Sequence, residues 1–166
     1  ISKYKRLLSA GEVGINCSSK RLWEKVSSEN QIAIIFEDDI VLGSNFKNEL
    51  DEILSSLPSK WDIVYIDSLN YKKLTNVKFK AQKTFAGKLL RVENNVWGVH
   101  AYIINSDSAK KLLDLQQVNS ELPLDTMLSK SIKRHKLRVF ISNKKIADVK
   151  HEKSEIENMG RDPKYL

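Results

Sequence analysis

Disulfide chemistry is closed to this chain. Its 166 residues include one cysteine, Cys17. No intrachain bridge can form, and no cysteine-based zinc site can be assembled. Cys17 has no evident partner base, so it reads as a small packed residue rather than a nucleophile. Proline and glycine are also scarce, at three and six residues. That excludes collagen-like and Pro/Gly-rich disordered classes. Long apolar runs are missing as well. The longest, residues 32–36, falls far short of the roughly 18 residues a membrane span needs. The opening residues carry no secretory signal pattern. These absences together predict a reducing, cytoplasmic setting.

What is present is the material of one globular domain over residues 1–166, with 41% apolar and 30% charged residues. A polar tail from about residue 152 is expected to be mobile. The net charge of +7 is unevenly spread. Residues 1–70 carry 8 basic and 11 acidic side chains, whereas residues 71–166 carry 20 and 10. A positive back half suits an anionic partner: a phosphorylated substrate, a membrane surface or a nucleic acid. Its densest cluster is Lys130, Lys133, Arg134, Lys136 and Arg138. No helix-turn-helix, RNA-recognition or zinc-finger signature accompanies it, and aromatics are not interleaved with it. Nucleic acid is therefore not expected as the partner.

Helical and strand periodicities alternate, which predicts an α/β fold. Residues 1–17 read as a lead-in with a turn around Gly11 and Gly14. Ser18 or Ser19 would cap a helix running to about Ser28. Residues 31–36 read as a buried strand from the middle of a sheet. Ser44 would cap an amphipathic helix carrying Phe46, Leu50, Ile53, Leu54 and Leu57, stopped by Pro58. Residues 61–66 form a second strand. Residues 68–85 read as a polar loop. Strands are expected over 88–92, 100–104, 137–142 and 146–149. Ser106 would cap one further helix, and Pro123 would open another.

The richest segment is Ile34-Ile-Phe-Glu-Asp-Asp-Ile40. Three acids follow a strand that belongs in a sheet, and buried carboxylates are costly unless paired or metal-bound. Along an extended backbone Glu37 and Asp39 would point the same way. Two such carboxylates can hold a hard cation, Mg²⁺ or Mn²⁺. The C-terminal end of a strand in an open α/β sheet is also where ligands sit. The alternative is an acidic turn that caps the next helix.

These residues, taken in order, resemble glycosyltransferase family 25. The run Gly11-Glu-Val-Gly14, Ser18, Trp23 and Phe36-Glu-Asp-Asp-Ile40 carries the first part of the resemblance. Trp61-Asp-Ile-Val-Tyr65 is similar to the family's next strand. Trp97-Gly-Val-His-Ala-Tyr-Ile-Ile104 with Ala109-Lys-Lys-Leu112 is similar to its glycine–histidine–alanine–tyrosine segment. Pro123-Leu-Asp125 with Leu128, and Val149-Lys-His151 with Ser154, complete it. The resemblance implies a GT-A-like nucleotide-binding sandwich, a mixed sheet flanked by helices, lacking the family's opening βα unit. It implies inverting, metal-assisted transfer of a hexose, typically galactose, from a UDP-sugar to a lipooligosaccharide core sugar. Peripheral contact with anionic membrane and self-association through apolar surface are further expectations. Ser19 departs from the pattern, because the family has histidine there.

The resemblance also suggests roles. Asp39, Glu37 and His151 would hold Mn²⁺ (or Mg²⁺), with His151 alternatively a plain exposed residue. Asp125 would be the general base, or a helix N-terminal charge. Glu12, Ser18, Trp97, Gly98 and His100 would bind substrate. Against that, Glu12 could simply cap a turn, Trp97 could be core, and His100 could be a core histidine with a backbone partner.

Overall fold

The computed structural model describes residues 7–67, 81–83 (backbone), 88–92, 98–134, 136–144 and 146–150. Most of the predicted loop over residues 68–85, together with Trp97, His151 and the polar tail, lies outside these described residues. The helices are α1 (Ala10–Glu29), α2 (Phe46–Ser55), α3 (Ser106–Val118) and α4 (Leu124–Lys133). The strands are β1 (Ala33–Phe36), β2 (Ile40–Leu42), β3 (Ile63–Tyr65), β4 (Ala81–Lys83), β5 (Leu89–Val92), β6 (Ala101–Ile104), β7 (Val139–Ser142) and β8 (Ala147–Val149).

Six strands form a mixed sheet in the order β1-β6-β3-β7-β5-β4, and β2 pairs with β8 in a small second sheet. β1 and β3 both run antiparallel to β6, and β3 runs parallel to β7. So β1, β3 and β7 share a direction, and their C-terminal ends meet at one edge of the sheet.

Side-chain alternation sorts the core into two layers, as a period of two requires. Ile63, Tyr65, Tyr102, Ile104, Val139 and Ile141 face α1, α3 and α4, meeting Trp23, Val26, Leu112, Met127 and Ile132. Val64, Ile66, Ala101, Ile103 and Phe140 face the other way, onto Ile53 of α2 and onto Trp61 and Ile146. The result is the α/β sandwich expected of a GT-A-like fold, a mixed sheet with helices on both faces.

Several local expectations are corrected. The first helix begins at Ala10, so Gly11 and Gly14 lie within it rather than in a turn. Its cap is Ser9, whose side chain forms a reciprocal capping box with Glu12. That box satisfies two orphan amides and offsets part of the helix cost of the two glycines. Next, among the described residues β1 stands at the end of the strand order, with β6 as its neighbour, and not in the middle. Ile35 is buried there but Phe36 is 38% exposed, because a strand with one neighbour is covered on fewer sides. Last, Cys17 is exposed on α1 rather than packed. Two caps also shift by one residue: Asn45 precedes α2, and Asn105 caps α3 by accepting the Ser108 amide at 2.8 Å. Residues 81–83, read as loop, form β4.

Candidate functional site

The shared direction of β1 and β3 brings three chemical groups together. β1 ends at Phe36 and delivers Glu37. β3 ends at Tyr65 and delivers Asp67. β6 lies between them in the opposite direction, with Ala101 paired to Phe36 and Tyr102 paired to both Ile35 and Tyr65. The residue just before β6, His100, is therefore held between the two acids. Its carbonyl accepts the Glu37 amide at 2.8 Å, extending the β1–β6 ladder by one step. Its Nε2 is 3.8 Å from Glu37 Oε2, and its Nδ1 is 3.6 Å from Asp67 Oδ2. Both separations are ion-pair distances slightly longer than a hydrogen bond.

Asp67 was not among the candidates read from the sequence. Its side chain is wholly buried. One carboxylate oxygen accepts the Ala101 amide at 3.3 Å, pinning the start of β6. A signal for it exists: it follows β3 as the acidic triplet follows β1.

Gly98 contributes through what it lacks. Its φ of +80° is a left-handed conformation, and a Cβ there would lie 2.2 Å from His100 Cε1. Only glycine permits both the turn and the close approach of the imidazole.

The electrostatics follow from the crowding of carboxylates. Burial pushes the Glu37 carboxyl above its usual range; His100 pulls it down, while Asp39, Asp67 and Asp38 push it up further. For His100, burial favours the neutral ring, but Asp67, Glu37 and Asp39 outweigh it, and its pKa is raised.

The triplet itself is not extended. Glu37 to Ile40 is a tight turn, with the Ile40 amide reaching the Glu37 carbonyl at 3.4 Å. The same-face argument for Glu37 and Asp39 therefore does not apply. Asp38 is exposed at the tip. Asp39 is half-buried, and its Oδ1 is buried without a hydrogen-bond partner. The Asp39 carbonyl accepts the Lys150 amide at 2.9 Å. Lys150 directly precedes His151 in the chain. Among the described residues, no three His, Cys, Asp or Glu side chains converge as a complete metal-ligand group.

Asp125 sits in the first turn of α4 and is half-buried. Its Oδ1 accepts the Thr126 amide at 2.5 Å. The buried Tyr65 phenol, its pKa raised mainly by burial, also feels the charges of Tyr102, Asp67 and Asp125. α4 leads back to the start of β7, which runs parallel to β3, so its first turn and Asp125 stand toward the end where β3 finishes. Glu12 is engaged in the cap of α1, and Ser18 is exposed on the same helix. Their described contacts do not join them to the cluster. Ser19 is buried and bonds the Tyr102 hydroxyl, which also accepts the Trp23 indole N–H at 3.1 Å.

A GT-A-like sandwich with acids at the C-terminal ends of strands sharing a direction defines a class: α/β folds that bind ligands at that edge. Comparison with known proteins gives the family. The profile of "Glycosyltransferase family 25 (LPS biosynthesis protein)" matches residues 1–128, and the chain belongs to that family. The human "Inactive glycosyltransferase 25 family member 3" is 30% identical over 134 residues, covering 78% of this chain and 22% of the relative. Its probable inactive counterpart in Bos taurus is 29% identical over the same length. "Procollagen galactosyltransferase 1-A" of Xenopus laevis is 27% identical over 142 residues, 83% of this chain and 23% of the relative. The chain thus spans less than a quarter of the length of these relatives. No helix among the described residues is long and apolar enough to cross a membrane.

Proposed function

We propose that this protein acts in transfer of a hexose, galactose, from a UDP-sugar to a core sugar of lipooligosaccharide, with inversion at the anomeric carbon. Family membership supports glycosyl transfer, the family description supports a lipopolysaccharide setting, and the procollagen galactosyltransferase relatives support galactose. The observation that carries the donor-site reading is the buried, unpartnered Oδ1 of Asp39 in an acidic turn at the strand ends.

A divalent ion fits that turn. An orphaned buried carboxylate oxygen is costly unless something binds it. Mg²⁺-type ions use one or two carboxylates and complete their shell with water and substrate phosphate. Asp39 and Glu37 would be those carboxylates. His151, which lies outside the described residues, would be the third ligand on the family resemblance. When bound, the ion would stabilise negative charge on the diphosphate.

The remaining chemistry belongs to the chain. His100, held against Glu37 and buried Asp67, keeps the Glu37 carboxylate turned toward the sheet end. Asp125 takes the proton of the acceptor hydroxyl as the new carbon–oxygen bond forms and the bond to UDP breaks. Trp97 and Gly98 would line the sugar side.

A second reading has its own support. Relatives with inactive names match at 29–30% identity, and the described residues supply few ligands. On that reading the protein binds without transferring. Calorimetry with UDP, with and without Mn²⁺, tests the donor site. Mn²⁺-dependent binding abolished by Asp39→Asn is expected. Failure to bind UDP in either condition overturns it. Turnover unchanged by Asp125→Asn would overturn the base assignment, and binding without turnover would favour the second reading.

A further inference from the structure

Four buried side-chain polar atoms among the described residues have no hydrogen-bond partner. Two belong to the site described above, on Asp39 and His100. The other two, Asn16 Oδ1 and Gln116 Oε1, stand together in the seam between α1 and α3. These helices lie side by side and antiparallel. Gln116 Nε2 donates to the Asn16 carbonyl at 2.8 Å, and near the other end Ser106 Oγ donates to the Ser27 carbonyl at 3.2 Å. Along the seam runs a groove of about 660 Å³. Its lining shares no residue with the Glu37–His100–Asp67 cluster.

Helical spacing builds the groove. Val13, Cys17, Lys20 and Glu24 recur on α1 at intervals of three and four residues, which puts them on one face. Leu8, Val13 and Leu113 make the walls aliphatic, and no aromatic ring lines them among the described residues. Lys20 is held by Glu24 at 3.8 Å. Asp114 is exposed on the groove and has no ion-pair partner among the described residues. Two carboxylates thus face one cation. The orphan oxygens define what is missing. Asn16 Nδ2 donates to the Leu122 carbonyl at 3.0 Å, so both carboxamide nitrogens are committed to carbonyls. Turning either carboxamide over would set its oxygen against a carbonyl oxygen. Both orphans are therefore acceptors, and a buried acceptor without a donor is costly. Gln116 is 8% exposed, and neither oxygen is open to bulk water.

We infer that the α1–α3 groove is a binding site for a linear aliphatic polyamine, one ammonium donating to Asn16 Oδ1 and Gln116 Oε1 and the next lying against Asp114. Each feature of the groove selects this chemistry. The two acceptors call for donors, and an ammonium carries three. A phosphate or carboxylate brings none. The donor must be slender enough to slip between two helices, which a terminal ammonium on a methylene chain is and a ring is not. Sugars and bases pack on aromatic faces, which the walls lack. Methylenes pack on Leu8, Val13 and Leu113 as a lysine stem does on apolar surface. The chain's net charge of +7 opposes polycation binding in general, so the attraction must be local. Asn16 also ties α1 to the Leu122 carbonyl at the entry to α4, so an occupant braces the junction of three helices.

Cys17 supplies the reporter. It is the one cysteine of the chain, it is exposed, and it lines the groove. Calorimetry of the full chain with spermidine gives the affinity, and alkylation of Cys17 by neutral N-ethylmaleimide, read by mass spectrometry, gives the place. Spermidine at twice its dissociation constant should slow alkylation about threefold. Magnesium chloride at matched ionic strength and 1,8-octanediol should not slow it. Gln116→Leu should weaken spermidine binding about tenfold or more. Asp114→Asn, at an exposed position that leaves the fold alone, should weaken it about threefold. Asp51→Asn makes the same charge change on α2 and should bind as the parent does. Circular dichroism checks that each variant is folded. The inference is overturned by absence of heat and of protection up to about 10 mM spermidine. Heat without protection of Cys17, or equal protection by magnesium chloride, overturns it too. So does unchanged affinity in a folded Gln116→Leu, or in Asp114→Asn should Gln116→Leu not fold. No arm uses UDP or transfer activity, so the donor-site reading stands or falls separately.

Discussion

Replacing Asp62 by asparagine tests how the two halves of the sheet are joined. The carboxylate accepts four charge-assisted hydrogen bonds. Lys111 Nζ gives one at 2.7 Å, and Arg138 gives three, from its amide at 2.7 Å, Nε at 3.1 Å and Nη2 at 3.2 Å. Bonds to charged groups contribute about 1.5–3 kcal/mol each when the partners stay buried. Here they do not. The Lys111 and Arg138 side chains are 44% and 35% exposed, so both rehydrate once released, and their share must be discounted for screening. Asparagine can accept for one partner, but its amino group would face the donors of the other. We expect a net loss of about 2–3 kcal/mol. For a chain of this size that is a fall of roughly 4–12 °C in Tm.

The pH dependence fixes the cause. Burial raises the Asp62 pKa, but the hydrogen bonds from Arg138 and Lys111 more than offset this, and the net shift is downward. A depressed folded-state pKa contributes stability that is present above the unfolded value and lost as pH falls through the folded value. Urea denaturation of parent and variant at pH 7 should show the full difference. The gap should persist to pH 5 and close as the pH drops below about 4. A difference under about 0.5 kcal/mol at pH 7, or one that widens in acid, would refute the reasoning.

Other perturbations probe the site and the first helix. Gly98→Ala must strain a backbone with φ of +80° and displace the His100 ring; we expect about 1–2 kcal/mol of destabilisation by urea denaturation, with shifted His100 ring protons in NMR spectra. Gly14→Ala meets nothing within 4 Å and should stabilise α1 by about 0.5–1 kcal/mol in the same assay. Asp67→Asn removes the first of the groups that raise the His100 pKa. An NMR titration should then show His100 deprotonating at lower pH, and the stability it adds in acid should vanish earlier as pH rises. Ser9→Ala breaks the capping box and should cost about 1 kcal/mol, read as a lower Tm.

Local sequence carried the element types well, because they rest on periodicity within a few residues. The stripe of Phe46, Leu50 and Ile53 and the apolar run within 100–104 both became what they spell. Neighbour relations were another matter. Ile34, Ile35 and Phe36 have the composition of a central strand, yet composition does not say which strands lie alongside. Glu12 was read as a substrate or turn residue because its partner Ser9 had not been placed in a helix. The role of Asp67 is silent in the sequence, because it exists only once β6 lies between β1 and β3. Gly98 and His100 were legible as a pair of interest, but the reason, a missing Cβ under the imidazole, is a distance. Asp62 carried no signal, since Lys111 and Arg138 are far from it in sequence.

The pairing scheme bears on how the protein is made. Among the described residues, β1 pairs with β6, β2 with β8, and β3 with β6 and β7. None of the first three strands finds a ladder partner before Ala101. On a ribosome adding about 5–20 residues per second, the 36 residues from Tyr65 to Ala101 take roughly 2–7 s. Throughout that interval β1 and β3 lack the ladder partner they have among the described residues, and α1 waits for α3. When β6 emerges it closes two ladders at once. Synthesis of that one short strand supplies the piece that ties β1 and β3 into one sheet.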